Sequence, residues 1–141
     1  MKILFLGTGG IGARHAGAVA QLRPDATLVA VRNHHNETSE ALGMQLAADF
    51  DTALAATPDA VVIALPPSMH AEMLARSVAA GVPVYVEKPI AMNADEVRPV
   101  VARAERAGLI TMVGCNLRFL SAFQIIRNAI IDGEIGTVRS A

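Results

Sequence analysis

The chain is poor in cysteine, charge and long apolar runs, and each shortage removes a class of protein. A single cysteine, Cys115, stands among 141 residues. No internal disulfide and no multi-cysteine metal site can form from it, which fits a reducing compartment. Charged residues make up 18% and the net charge is -1, so no basic surface marks a nucleic-acid partner. The longest apolar runs, DAVVIALPP and TLVAV, fall far short of the roughly 18 to 20 residues of a membrane span. Met1 and Lys2 lead into an apolar segment that meets glycines almost at once, without the h-region and cleavage site of a secretory signal. Repeats, low-complexity tracts and long linkers are also missing. The chain therefore reads as one cytoplasmic domain, too short for two complete ones, whose 52% hydrophobic content suits a packed core.

Short apolar runs alternate with longer segments of helical period, the pattern of a parallel sheet with crossover helices. Strands are expected at Ile3 to Leu6, Thr27 to Val31, Ala60 to Leu65, Val84 to Val86 and Leu109 to Val113. All are nearly continuous in Val, Ile, Leu and Ala, which predicts cover on both faces. Helices are expected at Gly10 to Gln21, Glu37 to Ala48, Ser68 to Ala80, Asn93 to Arg106 and Phe119 to Ile131, with a short turn of helix at Thr52 to Ala56. Gly81 and Gly108 read as C-terminal caps, and Asn93 with Glu96 as a capping box. EIGTVRSA reads as the entry to a sixth strand. The fold class is α/β: a doubly wound parallel sheet of Rossmann type in the order 3-2-1-4-5-6. In such sheets ligands sit beyond the carboxyl ends of the strands, which singles out GTGGIG, RNHHN, PPSMH, EKP and CNLRF.

GTGGIG follows a strand and opens a helix, the setting in which GxGxxG has a mechanism. Gly7 permits the tight turn, Gly9 leaves room for a pyrophosphate, and Gly12 lets helix and strand pack closely. The helix N-terminus offers unpaired N–H groups to the phosphates. After the second strand, Arg32 and Asn33 stand where an acid would hold the ribose of NAD. Arg32 could pair with a 2'-phosphate, which favours NADP over NAD, while Asn33 could bond the NAD ribose. His34 and His35 are adjacent in a turn without a third ligand, so no metal is expected. Pro66 and Pro67 stiffen the next loop, and His70 could bond a ribose or a backbone group. Lys88 stands at the carboxyl edge of a central strand, where its ammonium could donate to a substrate oxygen or move a proton. Asn116 and Arg118 could line a nicotinamide pocket or cap the following helix. Thr8, Leu65 and Glu87, within or beside these segments, complete the candidate cofactor-binding set. Cys115 reads as a small buried neighbour, with no histidine close in sequence to activate it.

These segments together resemble the N-terminal domain of the Gfo/Idh/MocA family of NAD(P)-dependent oxidoreductases. The likeness rests on LGTGGIGARH, on DAVVIALPPSMHAEMLARSVAAGVPVYVEKPIAMNADEV, and on VGCNLRF followed by IDGEIGTV. Glu87-Lys88-Pro89 is its most specific element. The resemblance implies pyrophosphate binding by Gly7, Gly9, Gly10, Ile11 and Gly12, an adenosine end at Arg32 and Asn33, a cofactor wall at Pro66 and His70, and catalysis by Lys88. It implies hydride transfer between a nicotinamide dinucleotide and a sugar-like or cyclitol substrate, and homo-oligomers formed through a second, substrate-binding domain. Residues 1–141 are expected to be the dinucleotide-binding domain alone, with little turnover of its own. A non-catalytic nucleotide-binding module that works with a partner chain is the alternative.

Overall fold

The computed structural model describes residues 1–31 and 36–140. Six parallel strands form one sheet: β1 (Lys2–Leu6), β2 (Thr27–Val31), β3 (Gln45–Ala47), β4 (Ala60–Ile63), β5 (Val84–Val86) and β6 (Thr111–Val113). Their order is β3-β2-β1-β4-β5-β6, so β1 lies at the centre between β2 and β4. The connections carry α1 (Gly10–Leu22), α2 (Glu37–Ala41), α3 (Phe50–Ala55), α4 (His70–Ala79) and α5 (Ala94–Arg106), and α6 (Ser121–Ile131) follows β6. This is the doubly wound Rossmann-type sheet expected from the alternation of apolar runs and helical segments.

Alternate residues of each central strand face opposite layers, as a pleated strand requires. Leu4, Leu6, Val61, Ile63, Val84 and Val86 join Met73, Leu74, Val78, Val97 and Ala104 of α4 and α5 in the larger core. Ile3, Phe5, Leu28, Ala30 and Val62 pack on the other face with Ala16 of α1. Gly81 and Gly108 follow α4 and α5 with φ of 72° and 62°, as helix-ending glycines should.

Four details differ from the sequence reading. The segment expected as one helix from Glu37 to Ala48 stops at Ala41; Gly43 turns the chain with φ of 60° and Gln45–Ala47 becomes edge strand β3. Pairing of these three residues with Val29, Ala30 and Val31 overrides the helical propensity of ALGMQLAA. Among the described residues of EIGTVRSA, 134–140, no strand forms, and the sixth strand of the sheet is β3. Cover on both faces holds for the central strands but not for edge strand β6, where Met112 is 49% exposed. Finally, Asn93 caps α5 through Asp95 N–H at 3.0 Å, whereas no bond from Glu96 back to Asn93 completes a capping box.

Candidate functional site

The turn between β1 and α1 is compressed at two glycines and open at two others. Gly7 has φ of +93°, and a Cβ there would lie 2.5 Å from Ala64 O. A Cβ on Gly12 would lie 2.0 Å from Gly7 O. Only glycine allows the helix start to approach the exits of β1 and β4 this closely. Gly9 and Gly10 instead face space in which a Cβ would meet nothing within 4 Å. Beside them is an open cleft of 520 Å³ lined by Thr8, Gly9, Gly10, Ala13, Asn36, Glu37 and Thr38. The first turn of α1 carries no acidic residue, so its positive dipole end faces the cleft uncancelled from within the helix.

Asn36 braces this turn. Its Nδ2 donates to Thr8 O at 2.8 Å, and its Oδ1 accepts from Ser39 N–H at 3.2 Å. Ser39 Oγ returns the contact by accepting from Asn36 N–H at 2.8 Å. The cap of α2 thus also holds the backbone of the glycine turn, and the fully buried Ser39 anchors both.

Neighbouring strands bring the other segments to the same carboxyl edge. Beyond β4, Leu65 is half-buried and Pro66 opens a 3-10 turn at Pro67–Met69. Beyond β5, Lys88 is exposed and precedes a cis peptide bond to Pro89. Glu87 points the other way. It is 8% exposed, its Oε1 lies 2.7 Å from His15 Nε2 on α1, and it accepts from Tyr85 Oη at 3.1 Å. The Tyr85 and His15 rings meet edge to face at 4.9 Å. Gly114 closes the cluster, since a Cβ there would sit 2.5 Å from Tyr85 Oη and 2.7 Å from Glu87 Oε1. Burial pushes the Glu87 carboxyl up, but the hydrogen bonds from His15 and Tyr85 prevail and hold it below the usual carboxylate range. Burial, and then the Glu87 charge, push the Tyr85 hydroxyl up to about 12.

His70 is 1% exposed, and of the partners its sequence position allowed, a ribose or a backbone group, the protein itself supplies the second. Its Nε2 lies 2.8 Å from Leu65 O and its Nδ1 2.7 Å from Pro89 O. The ring is therefore enclosed between the loop after β4 and the loop after β5. The Glu87 carboxylate is likewise turned into the protein, toward His15 and Tyr85.

Comparisons with known proteins agree with this geometry. The family model described as "Oxidoreductase family, NAD-binding Rossmann fold", that of Gfo/Idh/MocA, matches residues 1–115. The chain belongs to the Gfo/Idh/MocA oxidoreductase family. It is 39% identical to inositol 2-dehydrogenase of Rhizobium meliloti (strain 1021), over 95% of this chain and 42% of that protein. The crystal structure of a putative myo-inositol dehydrogenase from Sinorhizobium meliloti 1021 superposes with a TM-score of 0.82 at 35% identity, covering 96% of this chain and 42% of the other. Scyllo-inositol dehydrogenase from Lactobacillus casei, solved with bound NAD(H) and scyllo-inositol, gives 0.85 at 26% identity, covering 96% and 42%. The chain thus spans less than half the length of these relatives.

For a Gfo/Idh/MocA chain, the residues singled out from sequence are unevenly assembled. Gly7, Thr8, Gly9, Gly10, Ile11, Gly12, Leu65, Pro66 and Lys88 come from the adjacent strand ends of β1, β4 and β5. Thr8, before α1, is buried, whereas Ile11 in the first turn of α1 is exposed. Asn116 and Arg118 lie past edge strand β6 in an exposed 3-10 turn, where Arg118 O accepts from Gln124 Nε2. Cys115, expected to be buried, is exposed because it follows the poorly covered β6. Arg32, Asn33, His34 and His35 lie outside the described residues. Among the described residues no cluster of three or more His, Cys, Asp or Glu has metal-binding proximity, and no helix is long and apolar enough to cross a membrane. His15, Tyr85, Asn36 and Gly114 were not legible as site residues. Asn36 carried a signal in the Asn-x-x-Ser spacing that opens α2, whereas His15 and Glu87 are 72 residues apart and meet only once the sheet is built.

Proposed function

We propose that the chain is the NAD(P)-binding domain of an oxidoreductase that transfers a hydride between the nicotinamide and a hydroxyl or carbonyl group of a cyclitol or sugar-like substrate. The observation that carries this reading is the glycine turn, closed by backbone at Gly7 and Gly12 yet open at Gly9 and Gly10, on the sheet edge that also bears Lys88. The residues fit the cofactor. Unpaired N–H groups at the start of α1 donate to the pyrophosphate oxygens, and a side chain at Gly9 or Gly10 would fill the space the phosphates need. The bound nicotinamide supplies the hydride acceptor or donor. In the reducing direction the Lys88 ammonium gives its proton to the carbonyl oxygen as hydride reaches the carbon, and in the oxidising direction the neutral Lys88 amine takes the hydroxyl proton as hydride leaves. By this reading the 141 residues bind cofactor and contribute Lys88. The remaining groups that hold the substrate belong to the part of the relatives' length that this chain does not span.

Two side chains bear on the choice between NAD and NADP. Arg32 offers a cation to a 2'-phosphate, and exposed Glu37, which lines the cleft, opposes one. The reading favours NADP through Arg32. The test is calorimetric titration of the chain with NADH and NADPH, repeated with Arg32→Ala. Binding should be seen, and Arg32→Ala should weaken NADPH much more than NADH. No heat with either dinucleotide overturns the functional reading, and equal losses overturn the role of Arg32.

A further inference from the structure

A carbonyl oxygen only accepts hydrogen bonds, and both ring nitrogens of buried His70 lie against carbonyl oxygens, those of Leu65 and Pro89. A ring that makes both bonds donates from both nitrogens and is the imidazolium. A neutral ring would satisfy one loop and turn a lone pair toward the other. The two carbonyls belong to different loops, one leaving β4 beside the glycine turn, the other immediately after Lys88. We propose that His70 is a positioning residue which, as a buried imidazolium, ties the loop after β4 to the loop after β5 and so fixes Lys88 relative to the dinucleotide.

The surrounding charges leave this task to the carbonyls. On α4, Glu72 and Arg76 pair with each other, and Arg76 also pairs with Asp51 of α3. Beyond β5, Glu87 is engaged by His15 and Tyr85, and Lys88 is exposed. The cation is therefore compensated by two backbone dipoles and depends on both loops being in place. If one loop moved away, a buried charge would keep half of its acceptors. That dependence couples the loops: the arrangement that satisfies the ring is also the one that sets the backbone on either side of Lys88.

The inference rests on the dinucleotide reading, and the test separates the two. Nitrogen-15 spectra of the wild-type chain at neutral pH should show protons on both ring nitrogens of His70, and titration with NADH should move both N–H signals. A bare ring nitrogen, or signals that ignore saturating NADH, overturns the proposal even if the variants fail to fold. His70→Gln, which can donate through one nitrogen only, should weaken NADH binding about tenfold, as loss of a charge-assisted bond would. In a Lys88→Met background the same change should add less than about twofold, because the group being positioned is gone. Unchanged affinity, or full additivity with Lys88→Met, marks His70 as merely structural and overturns the proposal. A wild-type chain that binds no NADH fails the functional reading instead, and the two-proton state of the ring is then read independently of it.

Discussion

Helix α1 contains two glycines for which the same substitution should have opposite effects. Gly17 lies mid-helix, and a Cβ there would meet nothing within 4 Å. Replacing it with alanine removes backbone freedom from the unfolded chain and should stabilise the domain by up to about 1 kcal/mol. Gly12 would gain the same amount, but its Cβ would lie 2.0 Å from Gly7 O, 2.9 Å from Gly7 C and 3.3 Å from Ala64 Cβ. The first two atoms are backbone and cannot swing aside, and Gly7 is itself held against Ala64 O. Relief requires α1 to withdraw from the sheet by more than an ångström, which would loosen fully buried Ala16 against Ile3, Phe5, Leu28, Ala30 and Val62. Overpacking of this kind exceeds the helix gain, and Gly12→Ala should destabilise the domain by about 3 kcal/mol net. For a domain of this size that is a fall of about 10 °C in Tm, against a rise of about 3 °C for Gly17→Ala. Thermal unfolding followed by circular dichroism measures both. NADH binding should survive Gly17→Ala and be lost in Gly12→Ala. If Gly12→Ala melts at or above wild type, the close approach of helix and strand is not what requires glycine there, and the reasoning fails.

The polar cluster behind Lys88 yields further outcomes. Because the Glu87 carboxyl is held below its ordinary range, the cluster adds stability that is present above the unfolded value of about 4.3 and fades as pH falls through the lower folded value. Glu87→Gln should therefore cost about 1 to 2 kcal/mol at neutral pH in urea unfolding, with the gap closing in acid; a gap of constant size would show that the charge is not involved. Tyr85 is the only tyrosine in the sequence, so ultraviolet titration reads it alone. Its phenolate should appear at about 12 in the folded protein. In denaturant it should return to about 10, and ionisation at the same pH in both states would contradict its burial beside Glu87. Asn36→Ala removes both the cap of α2 and the donor to Thr8 O. It should lower stability by about 1 kcal/mol and weaken NADH binding, whereas Asn36→Asp, which keeps the cap but not the donor, should restore stability without restoring affinity.

What could be read from sequence divides along the range of the interactions involved. The central strands announce themselves because burial on both faces demands unbroken apolar residues, and Leu4, Val61 and Val84 sit where such runs lead. GTGGIG is legible because the strand before it and the helix after it give a steric reason for glycine at Gly7 and Gly12. Strand β3 was hidden: Gln45, Leu46 and Ala47 are adequate helix formers, and only their pairing with β2 makes them a strand. The clue was Gly43, which ends α2 with a positive φ. Conversely, GTVRS has the look of a strand but pairs with no strand among the described residues, and propensity without pairing makes no strand.

The stretch from Glu87 to Pro89 shows why the second half of the site was harder to read. Alternation along a strand sends consecutive residues to opposite sides, and here it continues beyond the end of β5. Tyr85 and Glu87 face α1, where His15 receives them, while Val84 and Val86 face α4 and α5. Lys88 is left at the edge, and the carbonyl of Pro89 returns toward α4 and His70. The exposed lysine is therefore bracketed by one buried contact to the helix that begins at the glycine turn and another to the helix that follows the loop after β4. A motif of three residues in sequence is in space a junction of two layers. A lysine flanked in this way has a backbone that cannot shift without disturbing both, so a change at His15 or His70 should reach Lys88 without touching it.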